Sequence, residues 1–342
     1  MGLICDGLRV AMVTPWHVRC GIATYSENLV KALAEQGTTI YVVRLSRFGQ
    51  KVQDSLLNVV QQIPVDKIDL IHIQHEYGIF QGLEREFYVA LKSLGKPLIT
   101  TMHAVGVRVD TDIGIATTSD QVVVHNKFCA DRLGYKSTII PHGAVPSKTM
   151  EVEKAKLSFG IDPRTPIVGY VGFISNYKGL ELLIEAITKV PKAALLIAGG
   201  WHTETDTPYI MTLKQKSLEV LPSRCQWVGY IPDERLSAAY GAMDVVVYPS
   251  RYATESGALI MALGYGKAVL ASNIEPFKEK EKVGALMTFK GVRDLTRKIK
   301  RLLKDEELRR QLEEGAKKYC EETSWNKIAE KHIALYKQLL SL

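Results

Sequence analysis

Four stretches carry residues whose types and spacing suit chemistry on a charged, hydroxylated ligand. PWHVRCGIATYSENLVKAL (15–33) is a glycine turn that opens a helical period. Gly21 lets a backbone approach a ligand closely, and His17 lies in the same turn. TTMHAVG (100–106) sets His103 just past the carboxyl end of an apolar run. GFISNYKGLELLIEA (172–186) leads from Gly172 to Lys178-Gly179 at the start of an amphipathic period. A lysine there opposes the helix dipole unless an anion lies between them, so this loop reads as a phosphate site.

The fourth stretch, ESGALIMALGYGK (255–267), has no charge between Ser256 and Gly266. A surface helix would show a charged face, so this helix is expected to be buried. Its first residues, Ser256, Gly257 and Ala258, are small and leave backbone N–H groups free for an anion. Glu255, just before them, reads either as a cap or as a carboxylate that accepts from sugar hydroxyls. Lys178 and these amides together would neutralise a departing diphosphate without a metal.

These loops need a frame, and the chain supplies one twice. RVAMVT (9–14), TIYVVRL, LIHIQ (70–74), PLIT (97–100) and QVVVH (121–125) alternate with helical periods, including ones near 22–36 and 51–62. After IIPHGAVPSK (139–148) the pattern restarts with IVGYVGF, AALLIAGG, CQWVGY, DVVVYP, AVLAS and ALMTF, with helices from about 178 and near 208–221. Near-continuous apolar strands alternating with helices indicate parallel sheets covered on both faces. Two doubly wound Rossmann-like domains facing across a cleft are expected, with ligands outside the carboxyl ends of the strands. The boundaries read as 1–145 and 146–324, with a helix over 325–342 packing back on the first domain.

Bulk properties narrow the class. At 342 residues two domains are expected. Five cysteines stand singly, Cys5 among them, which points to reduced thiols in the cytoplasm and no structural zinc. The start of the chain lacks a basic signal region, and its apolar part reads as a first strand. The net charge is +7, and residues 278–318 hold 14 Lys/Arg against 8 Asp/Glu. That excess reads as a salt-bridged helical face or as a patch for an anionic membrane surface; no recognition module points to nucleic acid. The missing G-x-G-x-x-G fingerprint argues against a dinucleotide, so no cofactor is expected.

GIATYSENLVKAL, DLIHIQHEYG, TMHA, IIPHG, VGFISNYKGLELLIEA, AALLIAGG, VGYIPDERLSAAYGAMDVVVYPS and GALIMALGYGKAVLAS occur in that order. From about Arg9 to Tyr336 the chain resembles the retaining GT-B glycosyltransferases of family 4, the glycosyl transferases group 1. The resemblance implies hexosyl transfer from a nucleotide-diphosphate sugar to a carbohydrate or lipid-linked acceptor, with retention and without a metal. It implies a donor-binding second domain and an acceptor-binding first domain; the single cysteines and the basic excess over 278–318 add a cytoplasmic protein that is a candidate for peripheral membrane attachment. Lys178 matches the lysine on the donor diphosphate, His103 the histidine near the transferred sugar, and Gly21 the first-loop glycine. Catalytic residues are then His103, Lys178 and Glu255; Gly21, Gly172, Ser256, Gly257 and Ala258 join Lys178 and Glu255 on the donor, and His17 joins His103 on the acceptor.

The chain departs from that pattern at two places. Phe173 stands where the family usually has arginine, and Ala253 and Met261 stand where it usually carries an E-x7-E pair. Arg251 is the neighbouring candidate for the missing positive charge. These departures keep open a GT-B-like scaffold or binding subunit without donor chemistry; another GT-B enzyme, such as a nucleotide-sugar 2-epimerase, is a separate alternative.

Overall fold

The computed structural model describes residues 7–45, 52–80, 82–200 and 207–341; the expectation for Cys5 lies outside them. The chain forms two compact units, Met1–Gly143 with Thr323–Leu342, and Ala144–Glu322.

In the first unit the order is β1 (Arg9–Thr14), α1 (Gly21–Glu35), β2 (Thr39–Arg44), α2 (Val52–Gln61), β3 (Leu70–His75) and α3 (Tyr77–Phe80). Then come α4 (Glu84–Lys92), β4 (Leu98–Met102), α5 (Val109–Thr118), β5 (Gln121–Val124), α6 (Lys127–Leu133) and β6 (Thr138–Ile139). All pairings are parallel, in the order β2-β1-β3-β4-β5-β6. Side chains alternate across a strand, and β1 shows it. Val10 and Met12 pack with Tyr25 and Leu29, whereas Ala11 and Val13 pack on the opposite face with Phe80 and Leu91.

The second unit holds α7 (Val152–Ser158), β7 (Ile167–Val171), α8 (Leu180–Thr188), β8 (Ala194–Ala198), α9 (Thr207–Val220) and β9 (Cys225–Gly229). It continues with α10 (Asp233–Ala242), β10 (Val245–Tyr248), α11 (Gly257–Gly264), β11 (Val269–Ser272) and α12 (Glu275–Lys282). β12 (Met287–Phe289), α13 (Gly291–Lys304) and α14 (Glu306–Glu322) complete it. Its sheet is also all parallel, ordered β12-β11-β10-β7-β8-β9.

Finally α15 (Trp325–Leu339) belongs to the first unit, where Ile328, Ala329, Leu335 and Tyr336 join the core of α1 and β1. Apolar residues at helical spacing on one side of α15 account for that docking.

The basic segment is laced with ion pairs on the helices themselves. Asp294 meets Arg297 and Lys298 on α13, and Arg310 meets Glu307 and Glu314 on α14. Among the described residues no helix is long and apolar enough to cross a membrane.

Candidate functional site

In an open parallel sheet the ligand crevice lies outside the carboxyl ends of the strands, where the strand order reverses. In the second unit that point lies between β7 and β10. The loops leaving these strands, 172–179 and 249–256, are tied together. Arg251 N–H donates to the Tyr177 carbonyl at 2.8 Å. The Arg251 guanidinium donates to the Asn176 carbonyl and side chain and pairs with Glu181, whose other oxygen accepts from the Tyr209 hydroxyl. Arg251 is therefore a brace between the two loops, already committed to Glu181.

Gly172 and Gly179 are glycines for stated reasons. Gly172 has φ +146°, and a Cβ there would come within 3.1 Å of Ala258 Cβ, so the end of β7 lies against the start of α11. Gly179 has φ +65°, and its Cβ would lie 2.4 Å from the Pro249 carbonyl oxygen. Gly179→Ala is expected to cost more than about 1–2 kcal/mol, since left-handed strain adds to the clash. Urea denaturation would show it as a lower midpoint at unchanged slope.

Lys178 does not begin the helix, as the sequence reading had it. It closes a short 3-10 turn at Asn176–Lys178, and left-handed Gly179 separates it from α8 at Leu180. The dipole argument therefore acts across one turn rather than at the first helical residue. The half-buried Lys178 places Nζ 4.6 Å from the Tyr177 ring centroid.

α11 is buried as expected, through Leu259, Ile260, Ala262 and Leu263. Ser256 is its N-cap, and its hydroxyl accepts from Leu259 N–H at 3.3 Å. Glu255 differs from the reading of an open sugar-binding carboxylate. One oxygen accepts from Ser256 N–H at 2.8 Å, and the other accepts from Lys280 Nζ at 2.8 Å. Both side chains are about 95% buried, with 4% and 5% exposed. The Glu255 carboxylate lifts the Lys280 ammonium above the usual lysine range against the opposing effect of burial. Geometry thus makes Glu255 an anchor for the entry to α11. Phe173 is half-buried and gives its carbonyl to the Tyr170 hydroxyl at 2.7 Å, and Met261 packs against the core.

The first unit gathers histidines. Its strands β3, β4, β5 and β6 end at or just before His75, His103, His125 and His142. That repeated strand-end histidine was the signal available in the sequence, although only His103 was drawn from it. Tyr25 on α1 touches the rings of His103, His125 and His142 with centroids 4.7, 5.2 and 5.1 Å away. Among the described residues no three His, Cys, Asp or Glu side chains are placed to hold a metal ion. His103 is half-buried; its Nε2 lies 2.9 Å from Gln74 Oε1 and its Nδ1 3.1 Å from His125 Nε2. Burial, with neighbouring histidines, pushes its pKa well below the ordinary value and keeps the ring neutral.

His17 lies apart from this cluster, exposed, with φ +51° and its N–H on Glu27 Oε1 at 3.0 Å. Gly21 starts α1, and a Cβ there would meet nothing within 4 Å, so the protein's own packing does not require glycine.

Comparison with known proteins bears on the second unit first. Residues 151–319 match the family model described as glycosyl transferases group 1. These residues are a group 1 glycosyltransferase domain. It contains Gly172, Lys178, Glu255 and the start of α11. The chain is 31% identical over 178 residues to sulfoquinovosyl transferase SQD2 of Arabidopsis thaliana, covering 50% of this chain and 33% of that protein. It is 26% identical over 226 residues to D-inositol 3-phosphate glycosyltransferase of Corynebacterium jeikeium, covering 60% and 54%. The chain thus spans about a third to a half of the length of these curated relatives.

Solved structures cover the group 1 domain and the first unit together. Anabaena HepE, in complex with UDP and glucose, aligns with a TM-score of 0.79 at 16% identity over 98% of this chain and 100% of that one. Sucrose-phosphate synthase from Thermosynechococcus elongatus gives 0.78 at 20% identity over 98% and 99%. The fold is GT-B.

Proposed function

We propose that the protein transfers a hexosyl group from a nucleotide-diphosphate sugar to a hydroxyl of a carbohydrate or lipid-linked acceptor, with retention and without a metal. The observation that carries this reading is the group 1 domain, with Gly172, Lys178 and the N-terminus of α11 at one sheet switch point. The second unit takes the donor: Lys178 and the amides at Ser256, Gly257 and Ala258 meet the diphosphate, and Gly172 lets it approach. Glu255 holds that amide array in place through Lys280. The first unit takes the acceptor through His17 and His103, with His103 beside the transferred sugar, and its first-loop Gly21 is assigned to the donor. Such fixed dipoles and charges stabilise a departing diphosphate without reorganising during the reaction.

A second reading, a binding subunit without donor chemistry, is favoured by one observation. Neither Phe173 nor Met261 brings charge to the switch point, and Arg251 is occupied by Glu181.

Calorimetric titration of UDP, GDP and ADP into the wild type and Lys178→Ala separates the two. Loss of one charge-assisted contact is worth about 1.5–3 kcal/mol. That weakens the favoured nucleotide roughly 10- to 150-fold. No binding of any of the three to the wild type would favour the binding-subunit reading. An anionic-membrane partner is tested by sedimentation with anionic against neutral vesicles.

A further inference from the structure

A chain of hydrogen bonds runs through the first unit from α15 to the end of β6, and its donors and acceptors can be assigned from one end. The Ile140 carbonyl only accepts, so His125 Nδ1, 3.1 Å away, carries the proton. With that single proton on the ring, His125 Nε2 is an acceptor, and His103 Nδ1–H donates to it at 3.1 Å. That leaves a lone pair on His103 Nε2, which faces the side-chain amide of Gln74 at 2.9 Å. The two ends of an amide are isosteric, and only its NH2 end completes the bond to His103. The oxygen end then lies 3.3 Å from His72 Nε2. His72 Nε2–H donates there and to Thr101 Oγ1 at 2.8 Å, and His72 Nδ1 accepts from the Tyr336 hydroxyl at 2.7 Å. In this assignment His72 and His103 are neutral imidazoles, in keeping with the burial that lowers the pKa of each.

We propose that Gln74, His72 and Tyr336 are positioning residues for His103, holding its proton on Nδ1 and its Nε2 as an acceptor. None of the three has a place in the transfer chemistry described above. Gln74, His72 and Tyr336 are fully buried, and His125 nearly so, which makes the orientation of the chain costly to change. Burial lowers the pKa of His72 and raises that of Tyr336, so the hydroxyl keeps its proton and the imidazole stays neutral. The role in catalysis rests on the transferase reading; the proton assignment does not.

The test is the ring-nitrogen NMR spectrum of the full-length chain at neutral pH, together with Gln74→Glu. In the wild type, His103 is expected to show a protonated Nδ1 and an unprotonated Nε2. A glutamate at 74 accepts but does not donate when ionised, so His103 in Gln74→Glu is expected to bind a second proton and become an imidazolium. Transfer by that variant is expected to lose roughly tenfold to a hundredfold in kcat, with donor KM unchanged. A wild-type His103 protonated at Nε2 would overturn the assignment, and needs no variant to fold. A changed spectrum in Gln74→Glu with unchanged kcat would overturn the positioning role. If no nucleotide binds while the spectrum is as expected, the transferase reading falls and the proton assignment stands.

Discussion

Replacing Lys280 by methionine, with Glu255 left in place, is expected to destabilise the second unit by about 3–5 kcal/mol. The pair is almost fully buried, at 2.8 Å, with 4% and 5% of the two side chains exposed. Methionine fills much of the lysine stem's volume, so the main effect is loss of the Lys280 charge beside a buried carboxylate. Glu255 then takes up a proton or draws in water, and its bond to Ser256 N–H weakens with it. For a unit of this size the loss corresponds to a fall of roughly 6–20 °C in Tm. Calorimetry on Lys280→Met, Glu255→Gln and the double variant would show it. The double variant is expected to recover much of the stability, because replacing both charges removes the desolvation cost along with the attraction. Equal losses from the single and double variants would contradict that account.

The first unit is expected to lose stability on mild acidification, and His332 on α15 is the clearest source. It is fully buried, its Nδ1–H donates to the Ile328 carbonyl at 2.8 Å, and burial lowers its pKa from 6.5 to about 4. Because the folded form holds its proton less tightly than the unfolded chain, the unfolded state binds more protons between these values. Stability is therefore complete above about pH 6.5 and falls as pH drops, levelling off below about pH 4. The full difference is about 3 kcal/mol for this one group. His72 is shifted in the same direction, with its ring centroid 5.5 Å from that of His332. Protonating either ring places a cation beside the other. Urea midpoints at pH 7.5 and 5 would measure the loss, and His332→Asn, which does not titrate, is expected to flatten the slope by close to one proton.

What the sequence made legible follows from the range over which each signal acts. Two parallel sheets were readable because strands covered on both faces are apolar throughout, and helices of opposite periodicity separate them. β6, Thr138–Ile139, was not, since two residues are too few to show a period; Ile139 opened the stretch 139–148 that read as a connection. α11 was readable from its lack of charge. The turn before α8 was misplaced because one glycine can either start a helix or, as at Gly179, hold it off by a residue.

Partners distant in sequence were the least legible part of the candidate site. Lys280 lies in EPFKEKEK, where alternating charge reads as a solvated surface, yet that one lysine is turned inward toward Glu255, 25 residues earlier. The bonds around His103 join residues 74 and 125, and the chain runs on from Gln74 through His72 to residue 336. No local pattern records such distances.

The division of the first unit into two segments has a consequence for its birth on the ribosome. Tyr336, Ile328 and Leu335 emerge only after residues 144–322 have been made. At about 5–20 residues per second that delay is roughly 9–36 s. Throughout it, the nascent first unit carries Tyr25, Leu29 and His72 without the helix that covers them. The second unit, continuous in the chain, has all its own residues available sooner. Completion of the earlier-synthesised unit is therefore tied to synthesis of the later one, and a polypeptide arrested before residue 323 would present an unsealed apolar face to chaperones.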